Sequence, residues 1–226
     1  MKEEYYKAYD KRYKQIYDLN LLWDISEPTR EVMDVINKYN INKNDKILDL
    51  GCGEGRDSIY LLDKGYNVLA VDYSDTVINK CNELTDNKYI NNFMQFDLIK
   101  DKLKDKYNFI YSIAVLHMFV EDSHRNSFYK CIYNHLEEKG IALIICMGDG
   151  IKEYKSNIDE AFKDIKRINT NNNAVVNVAN TSCCIKNIDN IKEEIKNNNL
   201  NIIDISIIDD LPNFDKCICV VVKKDK

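Results

Sequence analysis

The stretch DLGCGEGRDS, residues 49–58, begins with an acid and then places glycines at three alternate positions. These are three of only 7 glycines in a chain of 226 residues. Glycine loses more backbone entropy on folding than any other residue, so a cluster indicates a backbone that must bend or admit no side chain. An apolar run precedes the glycines and a helical pattern follows them, which predicts a strand, a glycine loop and a helix.

The strand–helix alternation begins with the strand before the glycine loop and continues to residue 148. Short, almost wholly apolar runs predict strands at 45–50, 67–72, 89–97, 107–116 and 140–148, with helices between them. Strands of this kind are buried on both faces, as in a doubly wound parallel sheet. The final two strands, 198–209 and 215–224, have no helix between them and therefore predict an antiparallel hairpin at the sheet edge.

Two segments fall outside this alternation but contain no linker, so we interpret residues 1–226 as a single domain. Residues 1–40 predict two helices that form an N-terminal lid. Residues 150–198 predict an insertion that contributes to the substrate lid. Within it the pattern indicates a helix at 156–168, a strand at 173–185 and a helix at 187–197.

Composition excludes several classes of partner. The formal net charge is -5, so the chain lacks the overall basic field of a nucleic-acid-binding protein. The apolar runs are too short for a membrane helix, which predicts a cytoplasmic protein without a membrane partner. The 8 cysteines form no Cys-x-x-Cys pair, so no metal site is expected. The sequence carries no signal for an oligomeric state.

The spacing of the glycines limits which kinds of ligand the loop can bind. Dinucleotide-binding loops read Gly-x-Gly-x-x-Gly, and here the position of the last glycine is Arg56. This spacing disfavours a pyrophosphate ligand, and Asp49 immediately before the loop would repel one. An NAD-dependent oxidoreductase and a non-catalytic protein that binds a nucleoside or dinucleotide remain the alternatives.

Three successive strands of the predicted sheet end in a carboxylate. Asp49 ends the first strand, Asp72 the second and Asp97 the third. Ligands of open α/β sheets bind at the carboxyl edge of the strands, where an acid accepts the hydroxyls of a ribose. An amino group, a ribose and an adenine would satisfy the three carboxylates in that order, and S-adenosylmethionine carries all three groups.

Three stretches of this sequence, ILDLGCGEGRDSIYLLDKGYNVLAVDYS, QFDL and YSIAVLHMF, resemble the class I S-adenosylmethionine-dependent methyltransferases. The glycine loop is most similar to the small-molecule branch that includes the tellurite-resistance and thiopurine methyltransferases. The resemblance covers residues 30–148, and the topology of 199–224. It implies an α/β fold with a Rossmann-like, seven-stranded, mostly parallel sheet, an antiparallel last strand and helices on both faces.

The resemblance also implies how the cofactor is held, with S-adenosylhomocysteine as the product. Asp49 and the Gly51 backbone would hold the methionine amino group, and Asp72 the ribose hydroxyls. Asp97 would read the adenine edge. The remaining cofactor-binding residues implied by the resemblance are Cys52, Gly53, Gly55, Arg56 near the methionine carboxylate, Tyr73 and Ser74 beside the adenosine, Leu98 at the adenine, and Ile113 and Ala114 at the sulfonium.

The sequence indicates the residues that would contact the methyl acceptor less specifically than those that would bind the cofactor. His117 is either a group that lines the substrate, and a weak base, or a polar residue packed beside its apolar neighbours. Tyr9, Tyr13 and Trp23 are candidates for an aromatic lid over the substrate, although an amphipathic helix covering the sheet explains the same pattern. In-line methyl transfer requires no strict catalytic residue, because aligning the reacting atoms supplies much of the rate.

The residues that follow the fourth predicted strand bear on whether the acceptor is a small molecule or a nucleic acid. Class I enzymes that methylate amines on DNA often carry an Asn/Asp-Pro-Pro-Tyr/Phe motif there, and this chain reads SIAVLHMF. We therefore expect a small-molecule acceptor and no nucleic acid. Cys183 and Cys184 are adjacent, so on a strand they point to opposite faces and pack rather than chelate one ion.

Overall fold

The strand that leads into the glycine loop lies near the middle of a seven-stranded sheet. The fold is seen in a computed structural model that describes residues 4–22, 27–169, 173–209, 211 and 214–225. The strands of this sheet are β1 (Lys46–Leu50), β2 (Asn67–Asp72), β3 (Phe93–Gln95), β4 (Tyr107–Ile113), β5 (Leu136–Met147), β10 (Leu200–Ile208) and β11 (Cys217–Lys224). Their spatial order is β10-β11-β5-β4-β1-β2-β3.

The pairing of these strands confirms the expected fold class. The four pairs among β1 to β5 are parallel, whereas β11 runs antiparallel to both β5 and β10. Strand β3 is shorter than predicted, because residues 89–92 form a turn ahead of it. The parallel strands place their carboxyl ends at one edge of the sheet, which brings the glycine loop and the other predicted strand-end residues together.

Helices cover both faces of the sheet. They are α1 (Ala8–Tyr17), α2 (Arg30–Lys38), α3 (Arg56–Asp63), α4 (Asp75–Leu84), α5 (Asp122–His135) and α6 (Ile188–Asn197). Successive residues of β1 belong to different cores: Ile47 packs with α2, α3 and α4, whereas Leu48 packs with α5 and α6. Because successive side chains along a strand point to opposite faces, each short central strand contributes apolar side chains to the cores on both faces of the sheet.

The segment from 150 to 187 differs from its prediction. The helix expected at 156–168 is wrong: a single 3-10 turn (Ile158–Glu160) is followed by β7 (Asp164–Ile168). The expected strand at 173–185 is divided into β8 (Val175–Ala179) and β9 (Cys184–Ile185). Strand β7 pairs antiparallel with β8, and β9 pairs with β6 (Tyr154–Lys155). The helix predicted at 187–197 is confirmed as α6.

Helix α1 packs against the β7–β8 hairpin rather than lying alone on the sheet. Ile16 of α1 forms a small apolar cluster with Val176 and Val178 of β8. Lys11 forms an ion pair with Asp164 at 3.0 Å. Tertiary packing of this kind explains the error over β7, because it overrides the weak helical preference of the isolated segment.

Among the described residues, no helix combines the length and the apolar character needed to span a membrane.

Candidate active site

The glycine loop between β1 and α3 has a backbone that side chains would not tolerate. Gly51, Gly53 and Gly55 all have positive φ, at +85°, +52° and +76°. A Cβ atom at Gly51 would lie 2.4 Å from Cγ2 of Val115. Gly55 precedes the first residue of α3 and faces Cys81 rather than the space in front of the loop. The loop is therefore shaped by close approach at Gly51 and by the turn into α3 at Gly55.

Asp72, the last residue of β2, fixes the glycine loop to the neighbouring strand. One carboxylate oxygen accepts a hydrogen bond from the Gly53 amide at 3.0 Å, and the other accepts from the Ser74 amide at 2.9 Å. The Gly51 and Cys52 amides donate to the Val71 carbonyl at 2.8 and 3.0 Å. Burial raises the pKa of Asp72, while the two amide hydrogen bonds oppose that shift.

Asp49 is the most deeply buried of the three strand-end carboxylates, with 3% of its surface exposed. Its Oδ2 accepts a hydrogen bond from the Ser58 hydroxyl at 2.7 Å, and Ser58 also lies 3.0 Å from the Tyr111 hydroxyl. Burial raises the pKa of Asp49 to about 8, an increase that the Ser58 hydrogen bond opposes and nearby Asp57 adds to. A cationic amino group beside Asp49 would stabilise its ionised form.

Asp97, which follows β3, lies beneath an aromatic cluster contributed by the N-terminal segment. The Tyr6 hydroxyl donates to Asp97 Oδ2 at 3.1 Å, and the Ile99 amide donates to Oδ1 at 3.0 Å. The Tyr6 ring is edge-on to Tyr73, with centroids 5.9 Å apart. This arrangement places a flat aromatic surface beside a hydrogen-bond acceptor.

The chain turns sharply after β4. Ala114 has a positive φ of 61°, which is unusual for a residue with a side chain and common at functional sites. The turn brings Val115 against Gly51 and leads into a short 3-10 turn that contains His117. The glycine loop and the end of β4 thus form adjoining parts of one surface.

His117 is buried, with 5% of its surface exposed. The Met147 amide donates to His117 Nδ1 at 3.3 Å, and the imidazole lies 5.6 Å from the Phe214 ring. Burial, helped by the positive charge of Arg125, lowers the pKa of His117 to about 4. The ring is therefore neutral at physiological pH, and its proton lies on Nε2 because Nδ1 accepts the amide hydrogen bond.

A cavity of about 340 Å³ lies in front of these strand ends. Every residue expected to bind the cofactor lines it, except Gly55. Tyr9, Tyr13 and His117, which were expected on the acceptor side, line it as well. Trp23 lies outside the described residues.

Two elements close the cavity opposite the strand ends. Helix α1 contributes one wall, and β7 with the loop 181–183 contributes the other. Helical spacing along the N-terminal segment accounts for this arrangement. Tyr6, in the 3-10 turn ahead of α1, and Tyr13 approach the strand-end residues, whereas Tyr9 and Arg12 face the hairpin.

Sequence reasoning missed several lining residues. Arg12 could have been found, since it follows Tyr9 by three residues on the same helix and such pairs share a face. Arg167 and Thr181 could not, because their segment gives no periodic signal for the hairpin that carries them to the cavity. Cys183 lines the cavity and lies 3.8 Å from the Met147 sulfur, whereas Cys184 is buried, so the two adjacent thiols do diverge.

The described residues hold no group of three or more His, Cys, Asp or Glu side chains placed to bind a metal ion.

Known proteins share both sequence and fold with this chain. It is 33% identical over 113 residues to a probable S-adenosyl-L-methionine-dependent methyltransferase TehB from Haemophilus influenzae strain 10810, which covers 50% of this chain and 39% of that protein. It is 31% identical over 135 residues to phosphoethanolamine N-methyltransferase from Plasmodium falciparum, covering 58% and 48% respectively. The aligned part is less than half the length of either relative.

Solved structures of methyltransferases share the fold. A S-adenosylmethionine-dependent methyltransferase from Clostridium acetobutylicum superposes with a TM-score of 0.67 at 18% identity, over 95% of this chain and 92% of that one. The 1,6-didemethyltoxoflavin-N1-methyltransferase of Burkholderia thailandensis superposes with a TM-score of 0.73 at 14% identity, over 100% and 92%. The fold is therefore the Rossmann-like methyltransferase fold.

A family model provides the most specific assignment. The model described as tellurite resistance protein TehB matches residues 15–163, which include the glycine loop and all three strand-end carboxylates. That match covers more than half of the chain, and the protein belongs to the TehB family.

Proposed function

We propose that this protein transfers a methyl group from S-adenosylmethionine to a small-molecule acceptor. The observation that carries the proposal is the convergence of Asp49, Asp72 and Asp97 on one cavity beside the glycine loop. The three carboxylates match the amino group, the ribose and the adenine of that cofactor. Family membership and the curated relatives named as methyltransferases support the same activity.

The residues present fit the cofactor at both of its polar ends. Asp49 and Gly51 line the cavity together where the methionine part would lie, and a cationic amino group there would stabilise the ionised form of Asp49 against the effect of burial. Asp72 is held at the loop by two amides and would accept the ribose hydroxyls. Tyr73 and Asp97 would contact the adenine. When bound, S-adenosylmethionine supplies a methyl group on a sulfonium, which is a good leaving group.

The contribution of the chain to the reaction is positioning and exclusion of water. Aligning two reactants can lower the barrier by ~7–11 kcal/mol, and the walls formed by α1 and the β7–β8 hairpin enclose the acceptor side. We propose that residues 1–40 and 150–198 act as the lid of the site. His117 is a hydrogen-bond donor through Nε2 rather than a base, because its pKa is lowered to about 4 and Nδ1 is occupied.

A small acceptor fits this enclosure better than a polymer. The cavity of about 340 Å³ is lined by the residues expected to bind the cofactor and by those expected on the acceptor side, so it must admit both molecules. Two similar proteins, phosphoethanolamine N-methyltransferase and 1,6-didemethyltoxoflavin-N1-methyltransferase, are named for small acceptors. The negative net charge also disfavours a nucleic acid, and we propose that the protein works in the cytoplasm.

Transfer of labelled methyl groups tests this function. The protein would be incubated with methyl-tritiated S-adenosylmethionine and the small-molecule fraction of a cell extract, and tritium would be followed into new small molecules. We expect transfer by the wild type and at least a tenfold loss in Asp72→Asn, whose cofactor contact is weakened. Binding of S-adenosylhomocysteine without any transfer would instead indicate a nucleoside-binding regulator.

A further inference from the structure

The charges that line the cavity are separated into two walls. All the carboxylates that line the cavity belong to the strand ends, the glycine loop or the first turn of α3. They are Asp49, Glu54, Asp57, Asp72 and Asp97. Among the described residues, the lining side chains of α1, β7 and the loop 181–183 include two guanidinium groups and no carboxylate. The wall opposite the cofactor residues is therefore positively charged.

Arg12 is the buried member of this cationic wall, with 4% of its surface exposed. Its Nε donates to the Ala179 carbonyl of β8 at 3.0 Å, and its guanidinium carbon lies 5.4 Å from the centroid of the Tyr9 ring. These contacts orient the guanidinium between α1 and the hairpin. A guanidinium that lines the cavity in this position can donate charge-assisted hydrogen bonds to an anion bound there.

Arg167 of β7 brings a second positive charge close to the first. Burial lowers the pKa of Arg12, and the neighbouring Arg167 guanidinium lowers it further. Both arginines also lie near the Tyr9 hydroxyl, which is hydrogen-bonded to Thr181. Two like charges at the end of a shared cavity repel each other, and an anion between them would relieve that repulsion.

Arg56, the third arginine that lines the cavity, has a different environment. Its Nη2 lies 2.7 Å from the Thr29 hydroxyl and 3.2 Å from the Asp57 carboxylate. It belongs to the cofactor wall, near the position expected for the methionine carboxylate. Arg167 is instead a neighbour of Cys183, which contacts Met147 on the acceptor side, and Arg12 lies beside Arg167 and Tyr9.

We propose that the methyl acceptor is an organic acid whose carboxylate binds between Arg12 and Arg167. This inference rests on the proposed function and specifies its acceptor. Guanidinium groups recognise oxyanions through charge-assisted hydrogen bonds, and the aromatic and thioether side chains beside them suit an organic body. Tyr9, Met118, Met147 and Phe214 provide that apolar lining.

Calorimetric titration of the protein saturated with S-adenosylhomocysteine tests the proposal. Benzoate, neutral benzamide and inorganic phosphate serve as probes of charge and of an organic body. Because a charge-assisted hydrogen bond contributes about 1.5–3 kcal/mol, we expect benzoate to bind at least about tenfold more tightly than benzamide. Equal affinities for these two probes, or binding of neither, would overturn the proposal, and binding of phosphate alone would replace the organic acid with an inorganic oxyanion.

Matched variants assign the effect to the two arginines. Arg167→Gln, at an exposed position, should remove the preference for benzoate, whereas Lys166→Gln, which removes the same charge outside the cavity lining, should retain it. Arg12→Lys should weaken the binding of benzoate and leave the affinity for S-adenosylhomocysteine within about twofold of the wild-type value. A tenfold loss of S-adenosylhomocysteine affinity in Arg12→Lys would assign that arginine to the cofactor and overturn its role here. Failure of the wild type to bind S-adenosylhomocysteine would reject the proposed function itself.

Discussion

At the scale of single residues, Gly51 shows the steric demand of the loop most clearly. Gly51→Ala combines a positive φ with a collision against Val115 at 2.4 Å. We expect its free energy of unfolding, measured by urea titration, to fall by about 1–3 kcal/mol more than that of Gly65→Ala. Gly65 is the matched control, because its φ is +83° but its nearest neighbour lies 3.8 Å away. Equal losses in both variants would show that the approach to Val115 is unimportant.

The second residue-scale prediction concerns pH and Asp49. Its pKa in the folded protein is raised to about 8, so the folded state retains a proton that the unfolded chain releases near pH 4. Through this group alone, the stability of the free protein decreases as the pH rises from about 4 to about 8. A cofactor ammonium requires the ionised carboxylate, so binding below about pH 8 releases the proton.

Proton release can be measured directly. Between about pH 6 and 8 the affinity for S-adenosylhomocysteine should rise with pH, by at most about tenfold per unit. Titrations in phosphate and in Tris, which differ in ionisation enthalpy, should give different heats for the wild type and closer heats for Asp49→Asn. An affinity that is constant over this range would contradict the proposed contact between Asp49 and the amino group.

At the scale of secondary-structure elements, α1 is fastened across the cofactor side by Asp10. The Ser74 hydroxyl donates to Asp10 Oδ1 at 2.6 Å, and Ser74 also caps α4 through the Val77 amide. If α1 is part of a lid, Asp10→Ala should speed dissociation of S-adenosylhomocysteine about tenfold in stopped-flow displacement. Asp18→Ala, at the exposed end of the same helix, should leave the rate unchanged. Equal rates in both variants would argue against a lid.

Elements with strong local signals could be predicted from the sequence, whereas those that depend on partners could not. The end of β1 at Leu50, directly after Asp49, the end of β2 at Asp72 and the cap at Ser74 follow from apolar runs and helix-start chemistry. The β7–β8 hairpin depends on packing against α1, so the segment that carries Arg167 was wrongly predicted as a helix. The hydrogen bond from Tyr6 to Asp97 spans 91 positions of the chain, and no local pattern indicates it.

At the scale of the whole molecule, a buried ion pair ties α5 to α6 behind the sheet. Arg125 forms two hydrogen bonds with Glu194, at 2.7 and 2.8 Å, and the two side chains are 1% and 13% exposed. Glu194→Gln removes the negative charge and should lower the free energy of unfolding by about 3–5 kcal/mol. The exposed Glu160–Lys163 pair provides the control, since Glu160→Gln should cost less than about 1 kcal/mol in the same urea titration. Similar losses would refute a structural role for the buried pair.

The central claim is that one methyl-donor cofactor is recognised by the carboxylates along the sheet edge. Calorimetric titration of the protein with S-adenosylhomocysteine and, separately, with NAD tests it most directly. We predict that S-adenosylhomocysteine binds at one site per chain, that Asp72→Asn weakens it at least about tenfold, and that NAD gives no binding heat. Binding of NAD without binding of S-adenosylhomocysteine would contradict the account.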